Sequence, residues 1–477
     1  MMYQEQIKRI KTKLIHARKV DTNFDAFGAK SHKYKLGKCA SQSEITKFEK
    51  KYNFELPLCY KAFLLEVGNG GVSHSNSAAG PFYGIYPLNK NLDEIIDSPE
   101  TYLRLPATIK PCMSDEEWER ESGKLDDDLT DEEYEQEMGR LYAGVMPIGS
   151  QGCTYLHALM VAGDNVGMVV NIDFSIQKPQ FCFEANFLDW YERWLDEVIS
   201  GELLVDGPTW FGYTIGGDAS ELLKTFEESE DIELKFEALH GMTRLLSANK
   251  NSCEILKQIA SEPNKKLGQL ASQLLTKFSY PESKSILSDL IEGDDSECLA
   301  ACQALYWYQR EHSHDWLDQL RNRMKRVKDE KTFDFMIYLI EECKIDYGYD
   351  LLPFLKSSNL EIKKQSFYML GKLKNKQNYL SAFIDGLKDD SSRIVHTTIQ
   401  ALEGVKDRVL LKEYFMVIQR YPKEKNCVLI NLKNRLKEHG FKNSSDFINR
   451  YDPELDIVVQ RSAWFGSIID KIFNKKK

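Results

Sequence analysis

The sequence predicts an α+β N-terminal domain, with an antiparallel sheet and flanking helices, followed by an all-α region of helical hairpins stacked as an α-solenoid. Three observations lead to this prediction. Short helix and strand patterns alternate over residues 1–205, a stretch containing Gly and Pro follows at 206–218, and leucines then recur with a period near 32 residues. With 477 residues and 42% hydrophobic content, the chain is too long for one core and can fill two or three.

Two predicted helices open the domain. A serine at position 41 or 43 can cap the first, EITKFEKKYN, whose apolar residues at 45, 48 and 52 share one face. In the second, LCYKAFLLEV, Pro57 stands in the first turn, where its missing N–H costs nothing. The run Gly68-Asn69-Gly70-Gly71 ends this helix.

The strand patterns come next along the chain. FYGIYPL at 82–88 is one candidate, and residues 154–161 and 166–172 predict a hairpin that turns at Gly163-Asp164-Asn165. FCFEA at 181–185 can add a further strand. Residues 186–200 then predict a helix with an aromatic side formed by Phe187, Trp190, Tyr191 and Trp194. This order indicates an α+β domain and not a βαβ array.

The net charge of −10 is concentrated in one run. Residues 114–137, an acidic insertion between the predicted strands, hold thirteen acidic residues against Arg120 and Lys124. Such runs are usually solvated helices or loops. The functional alternative is a negative surface that steers a basic partner by long-range attraction.

A repeat organises residues 219–440. Each unit has an apolar anchor in a first helix and a leucine fifteen residues later, with polar turns such as GDDS between them. Hairpins of this length indicate an α-solenoid, because each leaves apolar surface that only the next can cover. Residues 441–477 are predicted to form a helical cap. The anchors are Ile259, Leu290, Met324, Leu355 and Leu387, and the leucines are Leu274, Leu305, Leu339, Leu370 and Leu402.

Residues 45–71 resemble the opening of the SUKH superfamily, a fold shared by a fungal cell-wall synthesis regulator and many bacterial immunity proteins. The later stretches MPIGSQGCTYLHALMVAGDNVGMVV and NFLDWYERWL are similar to that family's sheet and closing helix, so the resemblance covers roughly residues 35–205. The acidic insertion departs from the family's usual length. The repeats are similar to HEAT repeats, a looser likeness that implies architecture more than activity. The matching pieces at the start are Phe48, Glu49, Leu56-Pro57, Tyr60, Phe63-Leu64 and Asn69-Gly70-Gly71.

The SUKH resemblance implies binding without catalysis. Its bacterial members neutralise polymorphic toxins by direct contact, so we expect a protein partner, such as a basic nuclease or deaminase toxin. Neither nucleic acid nor a membrane is expected as a partner. The residues that we predict to serve partner binding are Asn69, Gly70 and Gly71 at a sheet-edge loop, Tyr83 and Tyr86 as aromatic anchors, and Asp115, Glu116, Glu117 and Trp118 for charge steering with one hydrophobic contact.

For several groups of candidate site residues, we favour a structural interpretation over a functional one. Residues 68–71 lack the Lys-Ser/Thr pair of a P-loop, and the serines around His74 lack an orienting carboxylate. Cys298 and Cys302, with His312 and His314 downstream, allow a zinc site but indicate buried thiols better. Asp126-Asp127-Asp128 lacks the spaced ligands of a calcium loop.

Two basic segments also have alternatives. The cluster Arg321, Arg323, Lys325, Arg326 and Lys328 is typical of a solvated helix, although a HEAT-like nucleic-acid enzyme would use such residues in a basic groove. The C-terminal AWFGSIIDKIFNKKK caps a repeat stack or lies on an anionic membrane.

No catalytic machinery, cofactor or metal site is predicted, and a regulatory scaffold is the main alternative to an immunity protein. No run of apolar residues is long enough for a transmembrane helix, and we expect no signal peptide. Ten scattered cysteines without a CxxC pair predict reduced thiols and a cytoplasmic protein.

Overall fold

The computed structural model describes residues 3–125, 128–207, 210–421 and 427–458. The chain forms two compact units, residues 1–274 and 275–477. The first unit contains the α+β domain and the helices that follow it up to residue 274. The division between the units therefore lies inside a helix, Lys265–Phe278, and not in the predicted linker at 206–218.

Helices precede the sheet in the first unit. Of the two serines predicted as possible caps, Ser41 is the one that caps the helix Gln42–Tyr52: its hydroxyl accepts a hydrogen bond from the Glu44 N–H, and the Glu44 carboxylate accepts one from the Ser41 N–H. The helices are α1 (Gln4–Val20), α2 (Ala29–His32), α3 (Gln42–Tyr52), α4 (Leu58–Glu66), α5 (Pro99–Tyr102), α6 (Asp115–Ser122) and α7 (Asp131–Leu141).

The sheet is antiparallel, in the order β1-β2-β3-β4. The predicted hairpin is confirmed, with Tyr155 paired to Asp173 and Leu159 to Val169. The predicted strand at 181–185 is shorter than expected, since it covers two residues. The strands are β1 (Val145–Gly152), β2 (Tyr155–Met160), β3 (Val169–Asp173) and β4 (Gln180–Phe181).

The prediction of a strand at 82–88 is wrong. Ile85 of this segment forms an isolated bridge with Ala78. Phe82 and Gly84 have positive φ angles of 53° and 95°, values that a strand does not contain. Its backbone still lies beside β1, because the Tyr83 and Tyr86 N–H groups donate to carbonyls of that strand at 3.2 and 2.7 Å.

The closing helix α8 (Phe187–Ile199) packs against α1 and α4. Asn186 caps it by accepting from the backbone N–H groups of Leu188 and Asp189. The four aromatic residues predicted to share one side are confirmed as core residues, since each is at most 2% exposed: Phe187, Trp190, Tyr191 and Trp194.

Residues 211–213 of the segment predicted as a linker pack onto the domain instead. Phe211 is 6% exposed within the core, the Tyr213 hydroxyl donates to Gln151 Oε1 at 3.0 Å, and Asn171 Nδ2 donates to the Gly212 carbonyl at 3.4 Å. Glycine and proline had indicated a boundary, but the aromatic residues among them supply apolar area that is buried.

The predicted all-α region follows. Its helices in the first unit are α9 (Ala219–Glu228), α10 (Ile232–Met242), α11 (Lys250–Ile259) and α12 (Lys265–Phe278), which crosses into the second unit. The second unit continues with α13 (Tyr280–Glu292), α14 (Asp295–Tyr308), α15 (Leu317–Met324), α16 (Glu330–Glu342), α17 (Gly348–Leu351), α18 (Leu360–Lys372), α19 (Leu380–Leu387), α20 (Ser392–Ala401), α21 (Leu410–Arg420), α22 (Cys427–Glu438) and α23 (Ser444–Ile448).

Helices of the second unit stack in a solenoid-like way that matches the sequence repeat. Helix α14 packs against α16, α16 against α18, and α18 against α20. The recurring leucines lie in second helices or directly after α20, and none has exposed surface: Leu274, Leu305, Leu339, Leu370 and Leu402. Their period exists because each fills the same position in successive hairpins.

The described part of the predicted C-terminal cap, residues 441–458, is only partly helical. After α23 the chain forms a two-stranded pair, β5 (Tyr451–Asp452) with β6 (Ile457–Val458). The apolar and basic segment at 463–477 lies outside the described residues. Among the residues that the structure describes, no helix has both the length and the apolar character to cross a membrane.

Candidate protein-interaction surface

The acidic insertion folds as the two helices α6 and α7. Each begins with a capping box, in which Ser114 pairs with Glu117 and Thr130 with Glu133. Carboxylates in the first turn also interact favourably with the partial positive charge of a helix N-terminus. The acidic run is therefore helical because several of its carboxylates lie in the first turns of α6 and α7, where they are favourable.

Some of these carboxylates have cationic partners. Hydrogen bonds from Lys124 and then Arg140 lower the pKa of Glu121 to about 2. Asp115 pairs with Lys178 at 2.7 Å, and Glu117 with Lys110 at 3.1 Å. Two predicted steering residues thus also hold α6 to its surroundings.

The outward side of both helices remains strongly negative. Glu135 lies close to Asp97, and the hydrogen bond between these two carboxyls raises the pKa of Glu135. Like charges held this close indicate a surface with more acid than base. The exposed carboxylates of the insertion include Asp115, Glu116, Glu119, Asp128, Asp131, Glu132, Glu133 and Glu135.

The hypothesis that Trp118 offers a hydrophobic contact requires correction. Its side chain is 6% exposed and lies 6.5 Å from the Tyr142 ring, measured between centroids. The inward side of an amphipathic helix is set by its packing, and Trp118 supplies the apolar area that anchors α6 to the domain. Asp115 and Glu116 face solvent, and Glu117 is half-buried.

The Asn69-Gly70-Gly71 loop has a structural explanation. Asn69 Oδ1 accepts a hydrogen bond from the Leu88 N–H at 2.7 Å, and the Gly71 N–H donates to the Asn76 carbonyl at 2.7 Å. Gly70 has a φ of +69°, and a Cβ there would lie 2.8 Å from the Asn76 carbonyl oxygen. These residues shape the chain reversal before the 82–88 segment, and their contact with a partner stays a prediction.

The two predicted aromatic anchors differ in exposure. Tyr86 is 2% exposed and donates a hydrogen bond to Glu94 Oε1 at 3.2 Å, so it cannot serve as a surface anchor. Burial raises the pKa of its hydroxyl. Tyr83 is half-buried, and its ring centroid lies 5.6 Å from that of Phe27.

Phe27 belongs to an aromatic cleft that the sequence did not reveal. We define this cleft as the cavity lined by Phe27, Phe82 and Trp210, beside the stacked pair that Phe27 and Trp210 form. The ring centroids of Phe27 and Trp210 lie 6.0 Å apart at an interplanar angle of 30°, and Phe82 lies within 5.8 Å of both. Phe27 is 55% exposed and Trp210 53% exposed. The cleft encloses about 450 Å³.

Carboxylates line the same cleft. They are Asp25, Glu197, Glu202 and Asp206, with Arg244 as the guanidinium among the lining residues. Arg244 bonds to Glu202 and lies 3.4 Å from Glu197. Burial raises the pKa of Glu202 despite this pairing. Within the described part of the chain, Asp25 and Asp206 have no ion-pair partner.

The alternative metal and nucleophile sites gain no support from the geometry. The Sγ atoms of Cys298 and Cys302 lie 4.0 Å apart and fully buried, whereas His312 stacks on Tyr280 with centroids 4.5 Å apart. The described residues contain no group of three or more His, Cys, Asp or Glu side chains arranged for a metal ion. Asp126 and Asp127 lie outside the described residues.

The basic cluster in the helical region is largely neutralised. Arg321 pairs with Asp350 at 2.9 Å, the buried Arg323 with Asp295 at 2.6 Å, and Arg326 with Glu292. These acids come from neighbouring hairpins, so the cations join repeats and do not form a free basic groove. A nucleic-acid interface at this cluster is therefore not favoured.

Similarity to known proteins extends over part of the chain. Residues 39–193 match the SMI1 / KNR4 family (SUKH-1). The match supports the SUKH resemblance of the N-terminal domain, and this SUKH-1 region contains the acidic helices, the sheet and most of α8. Phe27, Trp194 and Trp210 lie outside it. The aromatic cleft therefore combines the SUKH-1 region with flanking segments of this chain.

Two further comparisons add little. The complex of CpcE and CpcF of phycocyanin lyase from Nostoc sp. PCC7120 is similar over 51% of this chain and 96% of that chain, with 14% identity and a TM-score of 0.28. This overlap is too low to assign a fold or an activity. Among curated proteins, none matches the chain.

Proposed function

We propose that this protein is a non-enzymatic binding protein, and most specifically an immunity protein that neutralises a basic toxin by direct contact. The observation that carries the proposal is the folded acidic surface of α6 and α7, inserted into a SUKH-1 region. Helices held by capping boxes present their carboxylates in a defined arrangement, which a solvated loop would not. Such a surface complements a toxin that binds nucleic acid.

The physical basis is electrostatic complementarity. A nuclease or deaminase carries cations where phosphates bind, and a rigid row of carboxylates can occupy that surface. Long-range attraction also raises the rate of encounter. We further propose a cytoplasmic location. The sequence contains ten scattered cysteines without a CxxC pair, which fits a reducing compartment.

The test uses charge reversal in the middle of both acidic helices. Glu119→Lys with Glu135→Lys leaves the capping residues intact, and a lysine at 135 can pair with Asp97. The partner is first captured from the native host with the full chain and identified by mass spectrometry. We expect the variant to associate about tenfold more slowly at low ionic strength, with the difference vanishing at high salt.

A matched control reverses the same number of charges elsewhere. Asp289 and Glu311 are exposed acids of the helical region, so Asp289→Lys with Glu311→Lys changes the net charge equally. We expect this control to associate at a rate near that of the unchanged protein. Equal rates for the acidic-helix variant and the unchanged protein at low salt, or capture of an acidic partner, would refute the steering mechanism.

A regulatory scaffold without a toxin is a second candidate, and one observation favours it. Trp307 on α14 is 47% exposed, and Tyr368 on α18 is 50% exposed. The rings of Tyr306, Phe335 and Tyr338, on α14 and α16, are in mutual contact. Exposed aromatic surface of this kind marks protein-binding sites. An adjacent toxin reading frame in the genome supports the immunity role, and a neighbourhood without one supports the scaffold.

A further inference from the structure

We propose that the aromatic cleft lined by Phe27, Phe82 and Trp210 binds one arginine or lysine side chain projecting from a protein partner. The inference rests on the proposed function for the source of that side chain, a basic protein. Its chemistry follows from the cleft alone.

The size of the cleft suits one long side chain. About 450 Å³ lies at the lower end of the range for small-ligand pockets. Phe27 and Trp210 both line the cavity and are each more than half exposed. Exposed apolar residues that are grouped in this way mark sites where another molecule binds.

The rings are arranged to receive a cation. A guanidinium or ammonium group binds most favourably over the face of a tryptophan, within about 6 Å of the ring centroid. Phe27 and Trp210 are inclined by 30° with centroids 6.0 Å apart, and Phe82 closes one side. A planar guanidinium in the cavity can therefore lie against the exposed part of this ring cluster while its methylene groups contact a neighbouring ring.

Charge selects a cation over other guests. Arg244 is already held by Glu197 and Glu202, so it offers no free positive charge to an anion. Asp25 and Asp206 are exposed at the cleft and have no ion-pair partner among the described residues. These two negative charges would repel a ligand that carries a carboxylate. A purely apolar ligand would offer them no partner.

The experiment observes Trp210 directly in the full chain. The protein is labelled with 5-fluorotryptophan, and the ¹⁹F resonance that disappears in Trp210→Phe is assigned to Trp210. The probes are short Gly/Ser peptides that contain one arginine, one lysine, one citrulline or one norleucine. Citrulline has nearly the shape of arginine without its charge.

We expect the arginine and lysine peptides to shift the Trp210 resonance saturably, and the citrulline and norleucine peptides to leave it almost unchanged. In Asp25→Asn with Asp206→Asn, the affinity for the arginine peptide should fall about tenfold. The other tryptophan resonances report whether this variant keeps its fold. The control Asp289→Asn with Glu311→Gln, which removes two exposed charges of the helical region, should bind the peptide nearly unchanged.

An equal response to citrulline, or full affinity in the aspartate variant, would overturn the inference. So would an equal loss of affinity in the helical-region control, because general electrostatic attraction would then explain the binding. The two proposals fail separately. Peptide binding at Trp210 together with capture of an acidic partner would refute the proposed function alone. Salt-dependent association with a toxin, without a charge-selective shift of the Trp210 resonance, would refute the cleft proposal alone.

Discussion

His157 lies fully buried on strand β2, where its Nε2 atom stands 3.3 Å from the Gly84 carbonyl oxygen. Burial lowers the pKa of this imidazole to about 4, from an ordinary value near 6.5. The neutral form is therefore the one that the folded domain accepts. In the unfolded chain the same residue takes up a proton at a higher pH.

This difference predicts acid sensitivity of the first unit. Between pH 6.5 and about 4 the unfolded chain binds a proton that the folded chain excludes, so the stability contributed by His157 is complete above pH 6.5 and is lost as pH falls towards 4. From pH 7 to pH 5 the loss is about 2 kcal/mol. Over the same pH range, the free energy of unfolding of His157→Gln should fall by about 2 kcal/mol less than that of the unchanged protein. Urea unfolding at pH 7 and pH 5 measures this difference, and amide exchange in β2 reports it for the first unit.

The control is His16→Gln, which makes the same substitution at an exposed histidine. The assignment is wrong if His157→Gln and the unchanged protein lose the same stability between pH 7 and pH 5.

Gly70 shows a second residue-scale constraint. Gly70→Ala places a Cβ 2.8 Å from the Asn76 carbonyl oxygen and 3.0 Å from Pro87 Cβ, at a φ of +69°. We expect a loss of about 3 kcal/mol in the free energy of unfolding. Gly163→Ala has a similar φ of +90° but no atom closer than 3.5 Å, so it should lose only about 1 kcal/mol. Equal losses in urea unfolding would mean that the backbone angle alone matters.

At the scale of elements, an ion network holds α8 to its neighbours. Glu197 accepts from Arg193 at 2.6 Å and lies 3.4 Å from Arg244, while Glu184 contacts Arg193 at 2.6 Å. Arg193 and Glu197 are at most 9% exposed. A buried network of this kind is costly to break, because each remaining charge has already lost its water.

Glu197→Ala should therefore destabilise the first unit by about 3 kcal/mol. Its neighbour Asp196 on the same helix is the control, since its 52% exposed side chain pairs with Lys13 in solvent. Asp196→Ala should cost about 0.5 kcal/mol. Thermal and urea unfolding of both variants would measure the difference, and similar losses would show that the buried network contributes little.

At the scale of the whole molecule, the first compact unit extends to Leu274, well beyond the predicted boundary at 206–218. Arg244 contributes to this extension, because it follows α10 and bonds to Glu197 and Glu202 of the α8 region. Part of the helical region is therefore integral to the fold of the first unit.

Truncation tests this organisation. A fragment of residues 1–279 keeps α9 to α12, whereas a fragment of residues 1–218 loses them together with Arg244. We expect the shorter fragment to melt about 10 °C lower, from a loss of about 3 kcal/mol. Circular dichroism would measure both transitions. Equal melting temperatures of the two fragments would support the predicted domain boundary at 206–218.

The sequence by itself determined the features that depend on near neighbours along the chain. The cap at Ser41, the hairpin of β2 and β3, the aromatic side of α8 and the buried leucines of the repeats were all predicted correctly. Helix faces and strand alternation follow from fixed residue spacings, so a local pattern carries this information. The acidic run was also recognisable, because charge is visible without a fold.

Only the tertiary structure decided which large side chains reach the surface. Trp118 and Tyr86 are buried by elements distant in the chain, whereas Phe27 and Trp210 meet across more than 180 residues and remain exposed. Positive φ angles at Phe82 and Gly84 exclude the strand that alternation had favoured. Packing between remote segments decides such positions, because burial depends on the neighbours that the fold supplies and not on the residue itself.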